Sequence, residues 1–522
     1  MKSDAGRTDS IWTATADVPL GQPLVSDDHA SVCIVGAGIA GLTTAYLLMK
    51  EGRSVIVLDD GPIAGGESGR TTAHLSNALD DRYFELTRLH GAKGARIAAE
   101  SHAAAIDKIE EIVVGEDIDC DFSRLNGYLF SPSGTPAEYL ELEYEAARQA
   151  GVFVEWADRA PLMPYFDTGR CLLFPNQGQF HPVKYMAALA RAIERDGGRI
   201  YTRAHVDEIE GGHPAVVRVR GGHNVQANAV VVATNTPIND RVTIHTKQAP
   251  YRTYVIGALI EKGAVPKALY WDTDDPYHYV RLQPLSDKHD VLIVGGEDHK
   301  TGQAHDTDVR FERLEDWARQ VFPRIDYLDY RWSGQIVEPV DGLAFIGRNP
   351  GGPDNVYIVT GDSGQGMTHG TIAGMLITDL IQGRDTEWAK VYDPSRKTLR
   401  AIGEYTRENL NVAWQYLDYV KPGDVKAEDQ IANGHGAVIR RGLQKMAVYR
   451  DDDGDLHEFS AVCPHLQCVV EWNNTERTWD CPCHGSRFNA LGKVINGPAN
   501  TDLGAADDDE PEATIPAAAV TT

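Results

Sequence analysis

Apolar and polar positions along the chain follow two alternating periodicities. Residues 31–59 read as the strand SVCIV, the glycine turn GAGIAG, the helix LTTAYLLMKEG and the strand SVIVLD. Residues 81–115 and 136–150 carry apolar side chains at three- and four-residue spacing with few glycines, which predicts helices. Residues 355–381 repeat the order of strand, glycine turn and helix. This alternation predicts an α/β protein that contains a parallel sheet.

The remaining segments differ in pattern from these units. Residues 186–196 read as a helix, residues 197–212 as a pair of strands, and residues 214–235 end in a continuous apolar strand of the buried parallel kind. No internal repeat is found. In chain order we predict an irregular N-terminal extension (1–30), a large α/β unit (31–385), a charged helical linker (386–425), a unit of short strands (426–505) and an acidic disordered tail (506–522).

Length and charge narrow the classes of protein that this chain can represent. With 522 residues it should hold two to four domains. It has 50 basic and 76 acidic residues, a formal net charge of −26, which disfavours nucleic acid or an anionic membrane as partner. The first 19 residues lack the apolar core of a secretory signal. The uncharged run Ser31–Met49 has three glycines in its first eleven positions, so we expect no membrane span and a cytoplasmic protein.

The first glycine turn is typical of a dinucleotide-binding site. It follows an apolar strand, opens a helix, and is followed after 23 residues by Asp59 at the end of the next strand. In such a turn the glycines allow the tight bend, the approach of a pyrophosphate and close helix packing, while the acid accepts a ribose hydroxyl. A purely structural turn is the alternative. The predicted contact residues here are Gly36, Gly38, Ile39, Ala40, Gly41 and Asp59.

Two further segments resemble a known flavoprotein family. Residues 65–74 (GGESGRTTAH) and 361–368 (GDSGQGMT) resemble the second and last flavin-contact segments of D-amino-acid-oxidase (glycine oxidase-like) flavoproteins, with Trp332-Ser333-Gly334 and Asp341-Gly342 between them. A second dinucleotide fingerprint is lacking, because Val294–Glu297 has no following helix. The resemblance therefore implies FAD, contacted by Gly66, Ser68, Arg70, Thr71, Thr72, Gly361, Gly364, Gly366, Met367 and Thr368.

The same resemblance implies how the large unit is divided. It implies a Rossmann-type FAD-binding domain formed by segments 31–80, 176–240 and 332–385, with an inserted α+β substrate domain formed by residues 81–175 and 241–331. We expect FAD to be bound without a covalent bond, because Thr71 aligns with the family's attachment position; nearby His74 stays open as an alternative. The last glycine turn is expected to place a helix N-terminus where it stabilises negative charge on reduced flavin.

One position departs from the family pattern. Glycine and D-amino-acid oxidases carry W-x-G-x-R-P, whose arginine binds the substrate carboxylate, whereas Ile336 occupies the arginine position here. An isoleucine cannot pair with a carboxylate, so binding of a simple α-amino acid in the usual way is not expected. Tyr277, Tyr279 and Arg281 could share one face of a strand and replace the clamp, or form an ordinary aromatic face. The catalytic side chains therefore stay undetermined, with Tyr279, Arg281 and, more weakly, His181 as candidates.

A second motif lies near the C-terminus. Cys463-x-His465, then fifteen residues, then Cys481-x-x-His484 is the ligand spacing of a Rieske [2Fe–2S] cluster. A Cys2His2 zinc site is the alternative, but zinc fingers use pairs of one ligand type, and each pair here mixes cysteine with histidine. The spacing therefore predicts a small all-β Rieske domain.

The residues around this motif resemble the cytochrome-bc-type Rieske proteins. The resemblance implies a disulfide between Cys468 and Cys483 and a hydrogen bond from Ser486 to a bridging sulfide. Phe488 stands where that group has a tyrosine, so one hydrogen bond to cluster sulfur is absent. Since hydrogen bonds to sulfur raise the potential, we expect a lower potential than in the respiratory proteins.

Together the two halves predict an enzyme. The 38 residues that follow His484 contain no histidine, which excludes the mononuclear iron domain of Rieske dioxygenases. The arrangement resembles bacterial FAD-dependent oxidoreductases with a C-terminal Rieske domain, related to γ-glutamylputrescine oxidoreductases. That resemblance implies a dehydrogenase that oxidises a C–N bond of a small amine-type substrate and passes electrons through the cluster to an external one-electron acceptor. The alternatives are an O₂-using flavin oxidase with an accessory cluster, and a redox sensor or electron carrier.

Overall fold

The structure is a computed structural model of the chain, and it describes residues 5–132, 137–162, 166–239, 242–322, 324–419 and 421–506. Most of the predicted acidic tail lies outside these residues. The α-helices of the described residues are α1 (Ile11–Thr15), α2 (Ile39–Lys50), α3 (Tyr83–Gly115), α4 (Ala137–Gln149), α5 (Pro182–Arg195), α6 (Thr307–Val321), α7 (Gly366–Ile381), α8 (Trp388–Tyr392) and α9 (Ile402–Gln415).

Most of the remaining order lies in β-strands. The strands are β1 (Asp28–Val35), β2 (Val55–Leu58), β3 (His74–Leu75), β4 (Ser123–Leu129), β5 (Glu155–Ala157), β6 (Cys171–Gln179), β7 (Arg199–Tyr201), β8 (Val206–Glu210), β9 (Ala215–Val219), β10 (His223–Val232), β11 (Gln248–Glu261), β12 (Leu269–Trp271), β13 (Tyr279–Pro284), β14 (His289–Lys300), β15 (Leu328–Pro339), β16 (Phe345–Arg348), β17 (Val356–Thr360), β18 (His435–Arg441), β19 (Gln444–Arg450), β20 (Leu456–Ser460), β21 (Glu471–Asn473), β22 (Thr478–Asp480), β23 (Arg487–Asn489) and β24 (Val494–Asn496).

The first sheet has the strand order β16-β17-β10-β1-β2-β7, and the four pairings from β17 to β7 are parallel. The apolar runs of β1, β2 and β10 are buried on both faces, because α2, α5 and α7 cover one face and side chains of β8 and β9 pack against the other. The pair of strands predicted within residues 197–212 is wrong, because β7 and β8 do not pair with each other. Instead β7 pairs with β2, and β8 pairs with β9.

The glycine turn between β1 and α2 needs glycine for two separate reasons. Gly36 has φ +109°, a conformation that side chains disfavour. A Cβ built at Gly41 would lie 1.9 Å from the carbonyl oxygen of Gly36, so a side chain there would push α2 off the turn. The N-terminus of α2 is thereby held directly beyond the carboxyl end of β1.

The second sheet has the order β15-β11-β14-β13-β12-β4-β6-β3, with β5 beside β6, and its pairings are antiparallel except for β4 with β12. Helix α6 packs on β11 and β14, while α3 and α4 pack on each other. This sheet matches the predicted α+β insertion. Its limits differ from those we expected, because β15 and β6 lie in this sheet although 332–339 and 176–179 were assigned to the FAD-binding segments.

The C-terminal unit consists of two small antiparallel sheets, β18-β19-β20 and β21-β22-β23-β24. Its own buried cluster includes Val470, Trp479 and Phe488 together with four of the cysteines. This is the predicted all-β domain. Within the described part of the chain, no helix is long and apolar enough to cross a membrane.

The N-terminal extension is more ordered than the sequence predicts. Helix α1 is capped by Ser10, and Trp12 is fully buried with its indole N–H donating to the carbonyl of Thr71 at 2.6 Å. The Ser10 hydroxyl donates to the carbonyl of Gly69 at 2.6 Å. The extension therefore fastens the second predicted flavin-contact segment.

The linker packs on both halves of the protein. Arg396 forms a bidentate pair with Asp341 at 2.7 and 2.8 Å. At the other end, the Tyr416 hydroxyl donates to the carbonyl of Leu466 at 2.7 Å, beside the C-terminal cysteines. The linker therefore lies against the large unit and the Rieske domain alike.

Candidate active site and redox centre

A cavity extends from the first glycine turn to the last one. At the first turn, the Asp59 carboxylate accepts hydrogen bonds from the N–H groups of Ala37 (2.5 Å) and Gly61 (2.8 Å). The hydroxyl of Ser68 accepts from the N–H of Ile39 at 3.1 Å. These bonds hold the N-terminus of α2 open toward the cavity, where free N–H groups and the helix dipole favour a phosphate group.

At the other end of the cavity lies the last glycine turn and the N-terminus of α7. Met367 lines the cavity, whereas Thr368 is buried behind it and hydrogen-bonds His102 Nδ1 at 2.8 Å. His369 also lines the cavity, and its Nδ1 lies 2.8 Å from the carbonyl oxygen of Asp362. Burial lowers the pKa of His369 to about 4, so this imidazole is neutral.

The cavity wall contains every predicted FAD-contact residue except Gly41 and Thr368, which act in packing. Two helix N-termini and the glycine turns on one cavity fit a dinucleotide with a flavin. Sequence motifs alone do not predict several further wall residues, which come from distant parts of the chain. They are Glu67, Asp80, His205, Thr253, Trp271, Asp298, Gln335 and the run 494–500 without Pro498.

An aromatic wall lines the cavity near the last turn. Tyr277 and Tyr279 have ring centroids 5.3 Å apart, and His74 lies 6.0 Å from Trp271 and 5.8 Å from Tyr279. Burial and the neighbouring Arg281 lower the pKa of His74 to about 3. At this pKa the imidazole is neutral. Its Nδ1 lies 3.0 Å from the Thr72 hydroxyl, and this contact orients the ring.

The loop that carries Tyr277 is organised by one buried carboxylate. Asp272 accepts from the backbone N–H of His278 at 2.8 Å and lies 2.8 Å from its Nδ1. The imidazole of His278 in turn stacks on Trp317, with 4.0 Å between the centroids. This arrangement fixes the loop between β12 and β13, and with it the aromatic wall.

Carboxyl groups surround the same end of the cavity. A Cβ built at Gly364 would lie 2.6 Å from Asp80 Oδ2, which places Asp80 against the last glycine turn. Asp298 lines the cavity from the end of β14, and burial raises its pKa to about 7. The Ser363 hydroxyl lies 2.5 Å from Asp81 and 2.6 Å from Glu338, and burial raises the pKa of both these carboxyls.

Of the three catalytic candidates, the structure places only Tyr279 on the cavity wall. Arg281 is buried, and its Nη1 donates to the carbonyl oxygens of Ala73 (2.8 Å) and Phe180 (3.0 Å). His181 caps α5 and lies 2.9 Å from the Thr15 hydroxyl. Neither Arg281 nor His181 lines the cavity. Arg281 therefore does not replace the carboxylate-binding arginine of the family, and this alternative from the sequence is wrong. Ile336 does line the cavity.

The four predicted cluster ligands are brought together on two facing loops. The buried thiols of Cys463 and Cys481 are in hydrogen-bond contact, and backbone N–H groups of both loops point at their sulfurs. The imidazole rings of His465 and His484 have centroids 5.0 Å apart. His484 Nδ1 is fully buried without a hydrogen-bond partner. Two thiols, two imidazoles and an unsatisfied buried nitrogen fit a Rieske [2Fe–2S] cluster.

The two loops are joined by the disulfide that the resemblance implies. Cys468 and Cys483 are bonded, with their Cα atoms 6.4 Å apart. Their sulfurs lie within 4.8 Å of Cys481, but a disulfide leaves only the Cys481 thiol free to bind iron. Ser486 contacts the Cys463 thiol, and its oxygen accepts from the N–H of Ala499 at 2.9 Å.

A buried ion network joins the Rieske domain to the large unit. Glu476 lies 2.6 Å from Arg70, and both side chains are fully buried. Burial alone would raise the pKa of Glu476, but Arg70, Arg252 and Arg487 together lower it to about 2. Arg70 lines the cavity as predicted, yet its guanidinium binds Glu476 and Thr8, a role that its flavin-contact motif does not reveal.

Contacts near the cluster reach directly into the cavity wall. The side-chain amide of Gln335 donates to the carbonyl oxygen of Gly485 at 2.9 Å, and Gly485 adjoins His484. The carboxylate of Glu67 accepts from the Gln335 backbone N–H at 2.7 Å and lies 3.3 Å from Arg487. His245 of the large unit has its ring 4.9 Å from that of His465. The two predicted cofactor sites are therefore adjacent.

Comparison with known proteins agrees with this arrangement. The sequence model of the FAD dependent oxidoreductase (DAO) family matches residues 31–380, and that of the Rieske [2Fe-2S] domain matches residues 421–507. The chain belongs to the DAO family. This member of the DAO family therefore carries a C-terminal Rieske domain and uses FAD and a [2Fe–2S] cluster, as predicted.

One similar protein matches this chain over nearly the full length of both. The chain is 31% identical to the Rieske 2Fe-2S iron-sulfur protein YhfW of Bacillus subtilis, over 94% of this chain and 96% of that protein. It is 28% identical to gamma-glutamylputrescine oxidoreductase of Escherichia coli, over 67% of this chain and 83% of the enzyme. The crystal structure of glycine oxidase from Geobacillus kaustophilus has a TM-score of 0.60 at 20% identity, covers 71% of this chain and 99% of its own, and confirms the DAO-type fold.

Proposed function

We propose that this protein is a dehydrogenase that oxidises a C–N bond of an amine or amino-acid derivative and releases the electrons singly through its Rieske domain. The contact between Gln335 on the cavity wall and Gly485 beside His484 carries this proposal. A cluster placed beside the flavin cavity is suited to receive electrons from it. The cytoplasmic location expected from the sequence remains a prediction.

The chain's own residues would hold both cofactors. The N-termini of α2 and α7, with the turns at Gly36 and Gly364, would hold FAD, and the two Cys-His pairs would hold the cluster. Bound FAD supplies two-electron chemistry as a hydride acceptor, while a Rieske cluster exchanges one electron at a time. Pairing the two converts a two-electron oxidation into two one-electron deliveries.

The overall stoichiometry of the proposed reaction balances. The substrate loses a hydride from carbon and a proton from nitrogen, which leaves a C=N bond that water can hydrolyse. Two molecules of a one-electron acceptor of higher potential, such as a cytochrome, each gain one electron, and two protons are released to water. His465 is less buried than His484, and its edge offers a route for the electrons to leave the protein.

Two features favour an amine over a small amino acid as substrate. Ile336 occupies the position at which the family places its carboxylate-binding arginine, and it faces the cavity. Among the described wall residues, the one arginine is Arg70, and its guanidinium is bound to Glu476. A carboxylate would therefore find no free cation on this wall.

Anaerobic reduction of the purified full-length protein by a panel of amines and N-methyl amino acids tests the proposal. We expect FAD released by acid, two irons per chain, and bleaching of the flavin band followed by that of the cluster. Failure of every amine to reduce the flavin would contradict the dehydrogenase function and favour a redox sensor. Flavin bleaching that leaves the cluster oxidised, with rapid reoxidation by O₂, would favour an oxidase.

A further inference from the structure

The cavity wall beside the last glycine turn has a chemical character that the FAD-binding function does not explain. Asp80 and Asp298 lie at the tips of the tyrosine pair: the Tyr277 hydroxyl donates to Asp80 at 3.3 Å, and the Tyr279 hydroxyl lies 2.5 Å from that of Thr253. The Thr253 hydroxyl also bonds Asp298. Two carboxyls and two rings therefore form one continuous surface.

Asp298 carries an unsatisfied atom at this surface. Its Oδ1 is buried without a hydrogen-bond partner, although the residue lines the cavity. A buried carboxylate oxygen that lacks a partner is costly, so the site favours a ligand that donates a hydrogen bond or carries positive charge. Within the protein this carboxyl is therefore satisfied only in part, through Thr253, and its residue lines the cavity.

The surrounding cations do not neutralise this surface. The guanidinium of Arg310 is directed to the Glu297 carbonyl oxygen and to Asp306, at 2.8 and 2.9 Å. Arg82 donates from Nη1 to the Leu79 carbonyl oxygen, and neither arginine lines the cavity. His74 is neutral, as described above. Neither arginine nor His74 therefore places a positive charge on this part of the cavity wall.

We infer that Asp80 and Asp298 form a recognition site for a substrate ammonium group, with Tyr277, Tyr279 and Trp271 packed around the carbon chain that carries it. The carboxylates provide charge-assisted hydrogen bonds, and the ring faces attract a cation. The substrate class is accordingly a cationic alkyl amine, not a zwitterionic α-amino acid. This inference rests on the proposed function, because it assigns the substrate end of the same cavity.

The test uses a cation that cannot be oxidised in the proposed way, together with its neutral isostere. Choline has a quaternary nitrogen, and 3,3-dimethylbutan-1-ol has the same shape without the charge. Calorimetric titration of the FAD-loaded full-length protein should give an affinity for choline at least tenfold higher. Equal affinities, or no detectable binding of choline, would overturn the inference.

Variants assign the effect to particular residues. Asp298→Asn and Asp80→Asn should each weaken choline binding by between tenfold and a hundredfold, since each removes a negative charge that attracts the quaternary nitrogen. Asp274→Asn, an exposed residue in the neighbouring loop, should leave it unchanged. Unaltered binding in both cavity variants would contradict the site. If one variant fails to retain FAD, the inference is still tested by the other variant and by the comparison of choline with 3,3-dimethylbutan-1-ol on the wild-type protein.

The outcomes separate this inference from the proposed function. Selective choline binding in a protein that no amine reduces would mean that the ammonium site stands and the dehydrogenase function fails. Rapid turnover of zwitterionic amino acids that neither aspartate variant changes would mean that the dehydrogenase function stands and the ammonium site fails.

Discussion

The cluster end and the substrate end of the redox system are constructed in different ways. At the cluster end, the four ligand residues lie within 22 positions of sequence on two loops tied by Cys468–Cys483. At the substrate end, Asp80, Trp271, Tyr277 and Asp298 are contributed by segments about 200 residues apart. Local sequence spacing therefore identifies the chemistry of the cluster, whereas the tertiary fold alone creates the chemistry that selects the substrate.

The largest expected effect comes from removing a ligand of the cluster. His484→Ala removes one imidazole, and we expect the cluster to be lost while FAD stays bound, because the large unit has its own core. Amine should still reduce the flavin, but turnover with ferricyanide should fall by at least a hundredfold. Iron content, flavin absorbance and stopped-flow traces measure these three effects.

The matched control is His435→Ala, an exposed histidine of the same domain. It should keep its iron and its turnover. Unchanged ferricyanide turnover in the His484→Ala protein would show that electrons leave the flavin without passing through the Rieske domain.

The next largest effect concerns the contact between the two regions. Glu476→Gln leaves Arg70, Arg252 and Arg487 buried around a neutral amide, and breaking such a pair costs about 3–5 kcal/mol. We expect lower thermal stability and slower flavin-to-cluster electron transfer. Lys493→Met, which breaks an exposed pair with Asp502, should cost less than about 1 kcal/mol. Equal stability of the two variants would contradict the importance of the buried network.

The same carboxylate predicts a direction for acid denaturation. The pKa of Glu476 is about 2 in the folded protein, below its unfolded value, so its contribution to stability is complete at neutral pH. The contribution is lost as the pH falls from about 5 toward 2. Glu476→Gln should therefore flatten the acid limb of the stability curve, measured by unfolding at several pH values.

At the substrate end, we expect binding of a cation to depend on pH near neutrality. Burial raises the pKa of Asp298 to about 7, and around it Asp80 and Glu297 raise it while Thr253 and Arg310 lower it. Below this pKa the carboxyl is protonated, so choline affinity should rise up to tenfold per unit as the pH increases toward 7 and then level off. The Asp298→Asn protein should show a shallower profile between about pH 5.5 and 8.5, because Asp80, whose pKa burial also raises, remains in the site; an unchanged slope would assign the titration elsewhere.

The smallest effect concerns the potential of the cluster. Phe488 is fully buried, and the resemblance to cytochrome-bc-type Rieske proteins implies a tyrosine at this position in that group. Phe488→Tyr should add one hydrogen bond to sulfur, worth about 1 kcal/mol, or on the order of 40 mV for a one-electron couple. Voltammetry should show the potential rise, and Phe459→Tyr, in the neighbouring sheet, should not change it. A fall or no change would contradict the role assigned to this position.

The sequence predicts those parts of the protein in which function depends on residues close together in the chain. The turn at Gly36, the helix that follows it and the Cys-His pairs all belong to this class. Glu476 does not, because it lies 406 residues after its partner Arg70. Asp298 could not be recognised either, since only the pairing of β11, β13 and β14 brings it to the tyrosine pair.

Local pattern also misassigned regions whose order depends on tertiary contacts. Residues 11–15 form a helix whose first three residues are buried, although nothing in their sequence predicts one, because the ring of Trp12 packs against that of His181 with 5.0 Å between the centroids. Arg281 lies on the predicted strand, but the backbone carbonyls around it turn its guanidinium away from the cavity. Side-chain direction in such places is decided by partners that a periodicity cannot reveal.

In the proposed function, electrons pass from the substrate through the flavin cavity to the Rieske cluster. Rapid-freeze electron paramagnetic resonance after anaerobic mixing with a reducing amine tests it most directly. We expect the reduced cluster signal to appear within one turnover, at a rate no slower than steady-state turnover with ferricyanide. A cluster that stays oxidised while the flavin is reduced and turnover proceeds would contradict the account.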